Sequence, residues 1–249
     1  VTVGIIIDRT KFGILIPSII ALLVLYAFIY LGTFVPIHLP AFVGGQIESW
    51  IVLLLIYAFV ASVLPVWLLL QPRDFINSHQ LFVGLGVMYL GLFIVHPKMV
   101  APALNLDVEG GLPWFPFLFI TIACGAISGF HGLVGSGTTS KQLNTLSDSR
   151  MIGYGSMLGE GSLGLMAVLA STAGFASVAA WKSHYSSWDT AGSMDAKIGA
   201  FVNGGAYFLK EGLMLPDGFG TTLIAVIVIS FAATTLDTST RIQRYITSE

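Results

Sequence analysis

Long runs without charged side chains constrain the fold of this chain more than any other feature of its sequence. Residues 12–35, 49–70 and 219–236 contain no Asp, Glu, His, Lys or Arg. An α-helix needs about 20 predominantly apolar residues to cross a hydrocarbon core of about 30 Å. The chain as a whole is 55% hydrophobic and 10% charged, whereas soluble domains contain about 25% charged residues. We therefore predict an integral membrane protein.

Three further apolar runs each carry one residue of these charged types. Residues 75–95 contain His79, residues 112–134 contain His131 and residues 151–181 contain Glu160. Together with the uncharged runs, they predict about six membrane spans. The predicted fold class is all-α, a polytopic transmembrane helical bundle, and we expect residues 1–249 to form a single partial transmembrane domain.

The distribution of Lys and Arg predicts the orientation of these spans. With six spans, one side of the membrane receives seven basic residues: Arg9, Lys11, Arg73, Lys141, Arg150, Arg241 and Arg244. The other side receives four: Lys98, Lys182, Lys197 and Lys210. Because cytoplasmic loops carry an excess of Lys and Arg, we predict that both ends of the chain lie in the cytoplasm.

The long connection at residues 182–218 contains a helical pattern. Four apolar residues recur at helical spacing on one face: Met194, Ile198, Phe201 and Val202. This pattern is typical of an interfacial or half-buried helix between spans, and a soluble loop with its own short helix explains it equally well. We expect Gly204 and Gly205 to interrupt the helix.

The composition excludes several other classes of protein. A net charge of −2 leaves no basic surface for nucleic acid, and the single cysteine, Cys124, excludes an intrachain disulfide. Two glycine-rich segments fail as nucleotide-binding motifs, because we predict no strand before "GEGSLG" at residues 159–164 and no lysine follows "GLVGSG" at residues 132–137. We expect no cofactor, no metal site and no nucleic-acid partner.

Glu160 is the carboxylate that lies inside a predicted span. The residues sharing its helix face are small or polar: Gly153, Ser156, Gly164, Ala167 and Ser171. The opposite face holds leucines: Leu158, Leu165 and Leu169. A charged side chain at the bilayer centre costs at least about 2.5–3.5 kcal/mol on insertion scales. We predict that Glu160 faces protein or water and acts as a protonatable gate; a role in helix packing alone is the alternative.

A glycine-rich stretch interrupts the fourth predicted span. "CGAISGFHGLVGSGTTSKQL", residues 124–143, combines glycines with a histidine, several hydroxyl side chains and a lysine. Irregular backbone at membrane depth is tolerated only where it is buried in protein or lines a cavity, and discontinuous transporter helices use it to bind substrate or ions. We predict that the helix loses regular hydrogen bonding between Ser128 and Thr139, at membrane depth. An ordinary helix C-terminus followed by a polar loop is the alternative.

The last predicted span has a polar face near its end. Ser230, Thr234, Asp237 and Arg241 follow one another at intervals of four, three and four residues, which places them on one side of a helix. This spacing allows Asp237 and Arg241 to pair at the cytoplasmic edge of the membrane, and we predict that Asp237, the residue nearer to the apolar run, is the functional one. A snorkelling arginine beside a capping aspartate is the alternative.

Four segments occur in the order that one membrane-protein family shows: "VLPVWLLLQPRDF", "FPFLFITIACGAISGFHGLVGSGTTSKQL", "GYGSMLGEG" and "SFAATTLDTSTRIQRY". In these segments the chain resembles the carbon starvation protein A family of bacteria and archaea. The resemblance implies a secondary transporter of the cytoplasmic membrane, with uptake of peptides or pyruvate attributed to members and an architecture near that of transporters with inverted five-helix repeats. The family's early glycine-rich helix with "GAGP" has no counterpart here, so we expect a partial chain that is joined by the remaining spans of the full-length transporter.

The sequence thus predicts a non-enzymatic secondary transporter of small nutrients, coupled to protons or another cation. Its expected partners are the lipid bilayer, a peptide or carboxylate substrate and the coupling cation. Residues expected to handle substrate or ions are Ser128, Gly129, His131, Gly135, Ser136, Gly137, Thr138 and Thr139. Glu160 is the predicted proton-coupling residue, Asp237 is the second candidate, and Lys141 is expected to attract an anionic substrate. An intramembrane enzyme and a structural or sensory membrane subunit are the alternatives.

Overall fold

A computed structural model describes residues 2–9, 13–35, 40, 44–65, 67–105, 108–127, 129–216 and 218–248. Within these ranges every regular element is helical, which confirms the all-α class. The α-helices are α1 (Thr2–Arg9), α2 (Leu15–Gly32), α3 (Gln46–Val63), α4 (Leu70–Val95), α5 (Trp114–Ala126), α6 (Gly129–Val134), α7 (Asp148–Ala173), α8 (Val178–His184), α9 (Trp188–Ala191), α10 (Met194–Leu213) and α11 (Phe219–Ser248). A π-helix (Gly135–Thr139) and a 3₁₀-helix (Ser140–Gln142) lie between α6 and α7.

The chain forms two compact units, and the first consists of Val1–Val87 and Leu215–Glu249. Within this unit, α11 packs against α3 and α2. The buried residues of α3 are small and include Ala58, Ala61 and Ser62, while Ile224 of α11 is 1% exposed. Small side chains allow helices to approach closely, and close packing is the usual basis of helix association inside a bilayer.

The second unit, Met88–Met214, is built around the crossing of α7 and α10. Ala170 of α7 and Phe208 of α10 are fully buried. At the crossing point, Gly204 lies so close to Ala170 that a Cβ atom on Gly204 would overlap the Ala170 carbonyl oxygen. A glycine is therefore required there by the close approach of the two backbones.

This crossing corrects the prediction for residues 182–218. The expected interruption at Gly204 and Gly205 is wrong, because α10 continues without a break from Met194 to Leu213. Both glycines are buried, so they serve helix packing rather than helix termination. The helix begins after Ser193, whose hydroxyl accepts a hydrogen bond from the Ala196 N–H at 3.1 Å, as an N-cap serine does.

Fewer helices qualify as membrane spans than the six predicted from sequence. In the part of the chain that the structure describes, four helices are long and apolar enough: α2, α3, α4 and α11. A fifth span results if α7 and α8, which meet at a bend of 108°, are counted as one broken span. The predicted span at residues 112–134 is divided, since α5 has only 13 residues, about 20 Å of helix. The polytopic helical class is confirmed, and the inverted-repeat arrangement stays a prediction.

Candidate functional site

The glycine-rich stretch does not continue as a regular α-helix. α5 ends at Ala126, and Ile127 adopts φ −131° and ψ 43°, outside the helical region. The chain re-forms a helix as α6 and then passes into the π-helix Gly135–Thr139. Within the predicted range, residues 128–139, the described chain leaves α-helical bonding at the π-helix and stays coiled instead of unwinding, while the break at Ile127 lies just before that range. Ser128 lies outside the described residues, and the depth of the break in the membrane stays a prediction.

The hydroxyl groups of this segment are partly used within it. Ser136 donates its hydroxyl to the Gly132 carbonyl at 2.8 Å, and Ser140 donates to the Ser136 carbonyl at 2.5 Å. Such bonds one turn back satisfy the hydroxyl and bend a helix slightly. Thr138 is half-buried, whereas the segment's glycines, Thr139 and Lys141 are exposed.

The structure brings together two residues that the sequence placed in different spans. His131 on α6 and Glu160 on α7 approach to 3.9 Å between Nε2 and Oε1. This separation exceeds hydrogen-bond distance, so the two groups form an ion pair only when His131 is protonated. Their side chains are 53% and 63% exposed. Glu160 is thus not buried by the described residues, because the buried face of α7 is the one that meets α10.

The remainder of the Glu160 face is also open. Gly153, Ser156 and Gly164 are exposed, but so are Leu158 and Leu165 on the opposite side of α7. A Cβ atom would meet no described atom within 4 Å at any of nine glycines in the second unit: Gly129, Gly132, Gly135, Gly137, Gly153, Gly155, Gly159, Gly161 and Gly164. These glycines therefore have no packing role among the described residues, unlike those at the α7–α10 crossing.

Asp237 has a different partner from the one that its helical spacing suggested. Its carboxylate forms an ion pair with Arg73 of α4, not with Arg241, and its side chain is 0% exposed. Tyr57 of α3 completes the cluster: its hydroxyl donates to Asp237 Oδ2 at 3.1 Å and accepts from Arg73 Nη1 at 2.8 Å. The pairing with Arg241 that the helical spacing allowed is not formed, because three helices converge on the aspartate.

Arg241 instead binds the end of α3. Its Nη2 group donates to the carbonyl oxygens of Ala61 and Leu64 at 3.0 and 2.7 Å. The last carbonyls of a helix have no partner within the helix and carry a partial negative charge. The guanidinium of Arg241 supplies the missing hydrogen-bond donors and a positive charge at this helix end, which explains why Arg241 is only 7% exposed.

Sequence reasoning missed the polar face of α4. Arg73, Asn77 and Gln80 follow one another at intervals of four and three residues, the same helical spacing that identified the other polar faces. Asn77 donates to the Ser230 carbonyl of α11 at 3.4 Å, and Gln80 is fully buried with no hydrogen-bond partner for its amide among the described residues. From the sequence, Arg73 serves only as one of the basic residues that predict the orientation of the membrane spans.

Each unit contains a cavity. In the first unit, a cavity of about 410 Å³ is lined by apolar residues and by Arg73, Asn77 and Ser230. In the second unit, a cavity of about 630 Å³ is lined in part by Trp114 and Trp188. The ammonium group of Lys197 lies 5.5 Å from the Trp188 ring centre at that cavity. No group of three or more His, Cys, Asp or Glu side chains suited to a metal ion occurs among the residues that the structure describes.

Comparison with known proteins decides the family. A family model described as carbon starvation protein CstA matches residues 1–185. The chain belongs to this family. The match includes Arg73, His131 and Glu160 but ends before Asp237, and it confirms the resemblance predicted from the sequence. No solved structure matches the chain.

Curated relatives in the CstA family carry transporter names. The chain is 44% identical over 168 residues to a peptide transporter CstA of Bacillus subtilis, covering 64% of this chain and 27% of the relative. It is 43% identical over 167 residues to the pyruvate/proton symporter BtsT of Escherichia coli, covering 62% and 23%. It is 47% identical over 133 residues to the peptide transporter CstA of Escherichia coli, covering 51% and 18%. The matched part of the chain thus spans about a quarter or less of the length of these relatives.

Proposed function

We propose that this chain is part of a secondary active transporter that moves small carboxylates or short peptides across the cytoplasmic membrane. The names of the CstA-family relatives and the apolar helices support this proposal. Both ends of the chain lie in the cytoplasm in this proposal, and the remaining spans of the full-length protein complete the transport pathway. Movement is driven by a proton gradient or that of another cation.

The observation that carries the coupling proposal is the approach of His131 to Glu160. His131, within the glycine-rich segment, and Glu160 of α7 lie 3.9 Å apart. A carboxylate and an imidazole at this distance can exchange a proton through one water molecule. In the proposal, Glu160 takes the coupling proton and His131 shares it, while Asp237 is the second candidate.

The glycine-rich segment supplies the substrate contacts in this proposal. Gly129 and the π-helix glycines Gly135 and Gly137 are exposed and leave space for close approach to the backbone. π-Helical turns occur frequently at functional sites because one peptide group in each turn lacks its usual α-helical partner. Lys141, exposed on the following 3₁₀ turn, attracts an anionic substrate.

Replacement of Glu160 in the full-length transporter tests the coupling role. In proteoliposomes with an imposed proton gradient, we expect Glu160→Gln to abolish accumulation of pyruvate or dialanine while exchange of internal for external substrate largely persists. Glutamine preserves size and hydrogen bonding but does not exchange a proton. Glu48→Gln makes the same change at an exposed glutamate of α3 and should accumulate substrate normally. A parallel series with a sodium gradient identifies the cation.

Two outcomes would contradict this proposal. If Glu160→Gln accumulates substrate at the wild-type rate with unchanged pH dependence, Glu160 is not the coupling residue. If the wild-type protein neither accumulates nor exchanges either substrate but hydrolyses dialanine, the transporter proposal itself fails and the enzyme alternative gains support.

A further inference from the structure

Arg73, the ion-pair partner of the buried Asp237, lines a cavity outside the residues to which the proposed function assigns the substrate contacts. The cavity of about 410 Å³ lies within the first unit, and Arg73, Asn77 and Ser230 are the polar residues on an otherwise apolar wall. Small-molecule sites typically have volumes of about 300–1,000 Å³, apolar walls and a few polar groups that fix the ligand's orientation. The chemistry of Arg73 decides which ligand this cavity fits.

Arg73 has hydrogen-bonding capacity that the described structure leaves unused. Its Nη1 donates to Asp237 and Tyr57, whereas Nε and Nη2 are buried and have no hydrogen-bond partner among the described residues. Asp74 Oδ1 lies 3.7 Å from Nη2, beyond hydrogen-bond distance. The N–H groups of Nε and Nη2 form one edge of the guanidinium, and such an edge matches the two oxygens of a carboxylate.

Asp237 is incompletely bonded as well. Its Oδ2 accepts hydrogen bonds from Tyr57 and Arg73, but Oδ1, although the side chain is fully buried, has no partner in the part of the chain that the structure describes. A buried carboxylate that loses its cationic partner is strongly destabilised as a charge. A proton on Oδ1 removes that charge, so separation of Arg73 from Asp237 and protonation of Asp237 favour each other.

We propose that Arg73 exchanges Asp237 for the carboxylate of a substrate bound in this cavity, and that Asp237 takes up one proton in the same step. The ion pair with Asp237 breaks, an ion pair with the substrate forms, and a proton from solvent bonds to Oδ1. The site is neutral before and after the exchange, so one carboxylate is bound with one proton. The ligand is a small monocarboxylate or the C-terminal carboxylate of a short peptide, and only this choice of ligand rests on the proposed transport function.

Other ionisable groups around the pair are accounted for by their own contacts. Those nearby are Tyr57 on α3, Asp74 on α4 and Arg241 on α11. Arg241 is held by the carbonyls at the end of α3, and the Asp74 side chain is 55% exposed. α2 also packs against α11; its ionisable residues are Tyr26, whose buried hydroxyl has no hydrogen-bond partner among the described residues, and Tyr30, which contacts Phe219 at the opposite end of α11. Asp237 is therefore the buried carboxylate available for the proton.

Calorimetric binding to the purified full-length protein in nanodiscs tests the exchange. Titrations of pyruvate and dialanine, in buffers of different ionisation enthalpy between pH 6 and 9, count the protons taken up per ligand. We expect one proton, and a Kd that rises toward tenfold per pH unit where Asp237 is ionised in the empty site, since binding is then linked to one proton. The carboxamides, pyruvamide and dialanine amide, lack the carboxylate and should not bind.

Variants separate the two halves of the exchange. Asp237→Asn should bind carboxylate without proton uptake and without pH dependence. Arg73→Lys keeps a cation for Asp237 but lacks the guanidinium edge, and should weaken binding at least tenfold. Ala233→Leu fills the cavity and should abolish binding, whereas Ala232→Leu, the same change at an exposed neighbour, should not. A further variant, Arg73→Gln, removes the cation altogether. If it misfolds because the buried Asp237 is left unpaired, the double variant Arg73→Gln/Asp237→Asn removes both charges; it should fold but should not bind the carboxylate.

Several results would overturn this exchange. They are wild-type affinity in Arg73→Lys and Ala233→Leu, proton uptake that persists in Asp237→Asn, or equal binding of pyruvate and pyruvamide. If pyruvate and dialanine do no more than displace phosphatidylglycerol, as a comparison of anionic with zwitterionic nanodiscs would reveal, the cavity is a site for a lipid headgroup. The titrations use no gradient, so the two proposals are tested independently. Failure of the titrations would not change the outcome of the Glu160→Gln accumulation assay, and a negative accumulation assay would not change the titrations.

Discussion

Arg241 illustrates how one side chain can satisfy a helix end inside a membrane protein. The carbonyls of Ala61 and Leu64 both accept from its Nη2 group, and water is scarce where they are buried. A neutral or shorter side chain at this position would leave these acceptors unpaired, and unpaired buried groups are costly. The arginine is therefore a structural element that joins α11 to α3.

Replacement of Arg241 should destabilise the full-length protein measurably. We expect Arg241→Gln to lower the free energy of unfolding by about 1.5–3 kcal/mol, the range for lost hydrogen bonds to a charged group. Arg244→Gln, one turn further along α11, loses a contact of 5.3 Å with the Tyr245 ring, worth about 0.5–1 kcal/mol. Unfolding of the detergent-solubilised protein measures both. Equal stability of the two variants would show that the α3 carbonyls do not depend on Arg241.

The partner of Asp237 shows what residue spacing can and cannot predict. The sequence identified Asp237 as an important polar residue, since a carboxylate beside an apolar run stands out. It suggested Arg241 as a partner because spacing along one helix reveals only neighbours on that helix. The real partner, Arg73, is 164 residues away in sequence, and only the packing of α4 against α11 brings it near. Local periodicity contains no information on such a contact.

At the level of helices, composition predicted where apolar helices occur but not where they end. The uncharged runs correspond to α2, α3 and α11, because length and hydrophobicity determine a span. The expected span at residues 112–134 is divided into α5 and α6 at Ile127, where glycine spacing indicated irregularity without giving its form. Gly204 and Gly205 were misinterpreted because a glycine pair reads equally well as a helix break and as a close crossing.

The α7–α10 crossing should be sensitive to a single methyl group. We expect Gly204→Ala to destabilise the full-length protein by about 1–3 kcal/mol or more, the range for overpacking, because the new methyl group would overlap the Ala170 carbonyl. Gly199→Ala, on the same helix, meets only the Asn203 amide at 4.0 Å and should gain up to about 1 kcal/mol of helix propensity. Thermal unfolding of both variants checks this. A stable Gly204→Ala variant would contradict the close crossing.

At the level of the whole molecule, the helices present large apolar side chains outward. Leu23, Phe28 and Phe59 are 63%, 65% and 70% exposed on helices that qualify as spans. Such a surface would promote aggregation in water, whereas lipid tails match it. We expect it to be shared between lipid and the remaining spans of the full-length transporter.

Cysteine labelling of the full-length protein should establish the orientation. In a background without native cysteines, Lys98→Cys and Lys182→Cys should react with a membrane-impermeant maleimide from outside the cell only. Lys141→Cys should react from the cytoplasmic side only, because residues 112–134 form a crossing in the proposed topology. Labelling of Lys141→Cys from outside would make α5 and α6 a re-entrant segment. Labelling of Lys98→Cys from the cytoplasm would reverse the whole orientation.

The π-helix at Gly135–Thr139 allows the glycine-rich segment to rotate about its own axis by a change in helical winding. It is followed directly by a 3₁₀ turn that contains Lys141, so a wide coil and a narrow coil adjoin. Relaxation of the wide coil to an α-helix changes the winding by one residue, which corresponds to about 100° of rotation and 1.5 Å of rise. The ammonium group of Lys141 would then rotate around the helix axis while the backbone φ and ψ angles stay within the helical region. A change in the winding of the π-helix can thus change the direction in which the charge of Lys141 points.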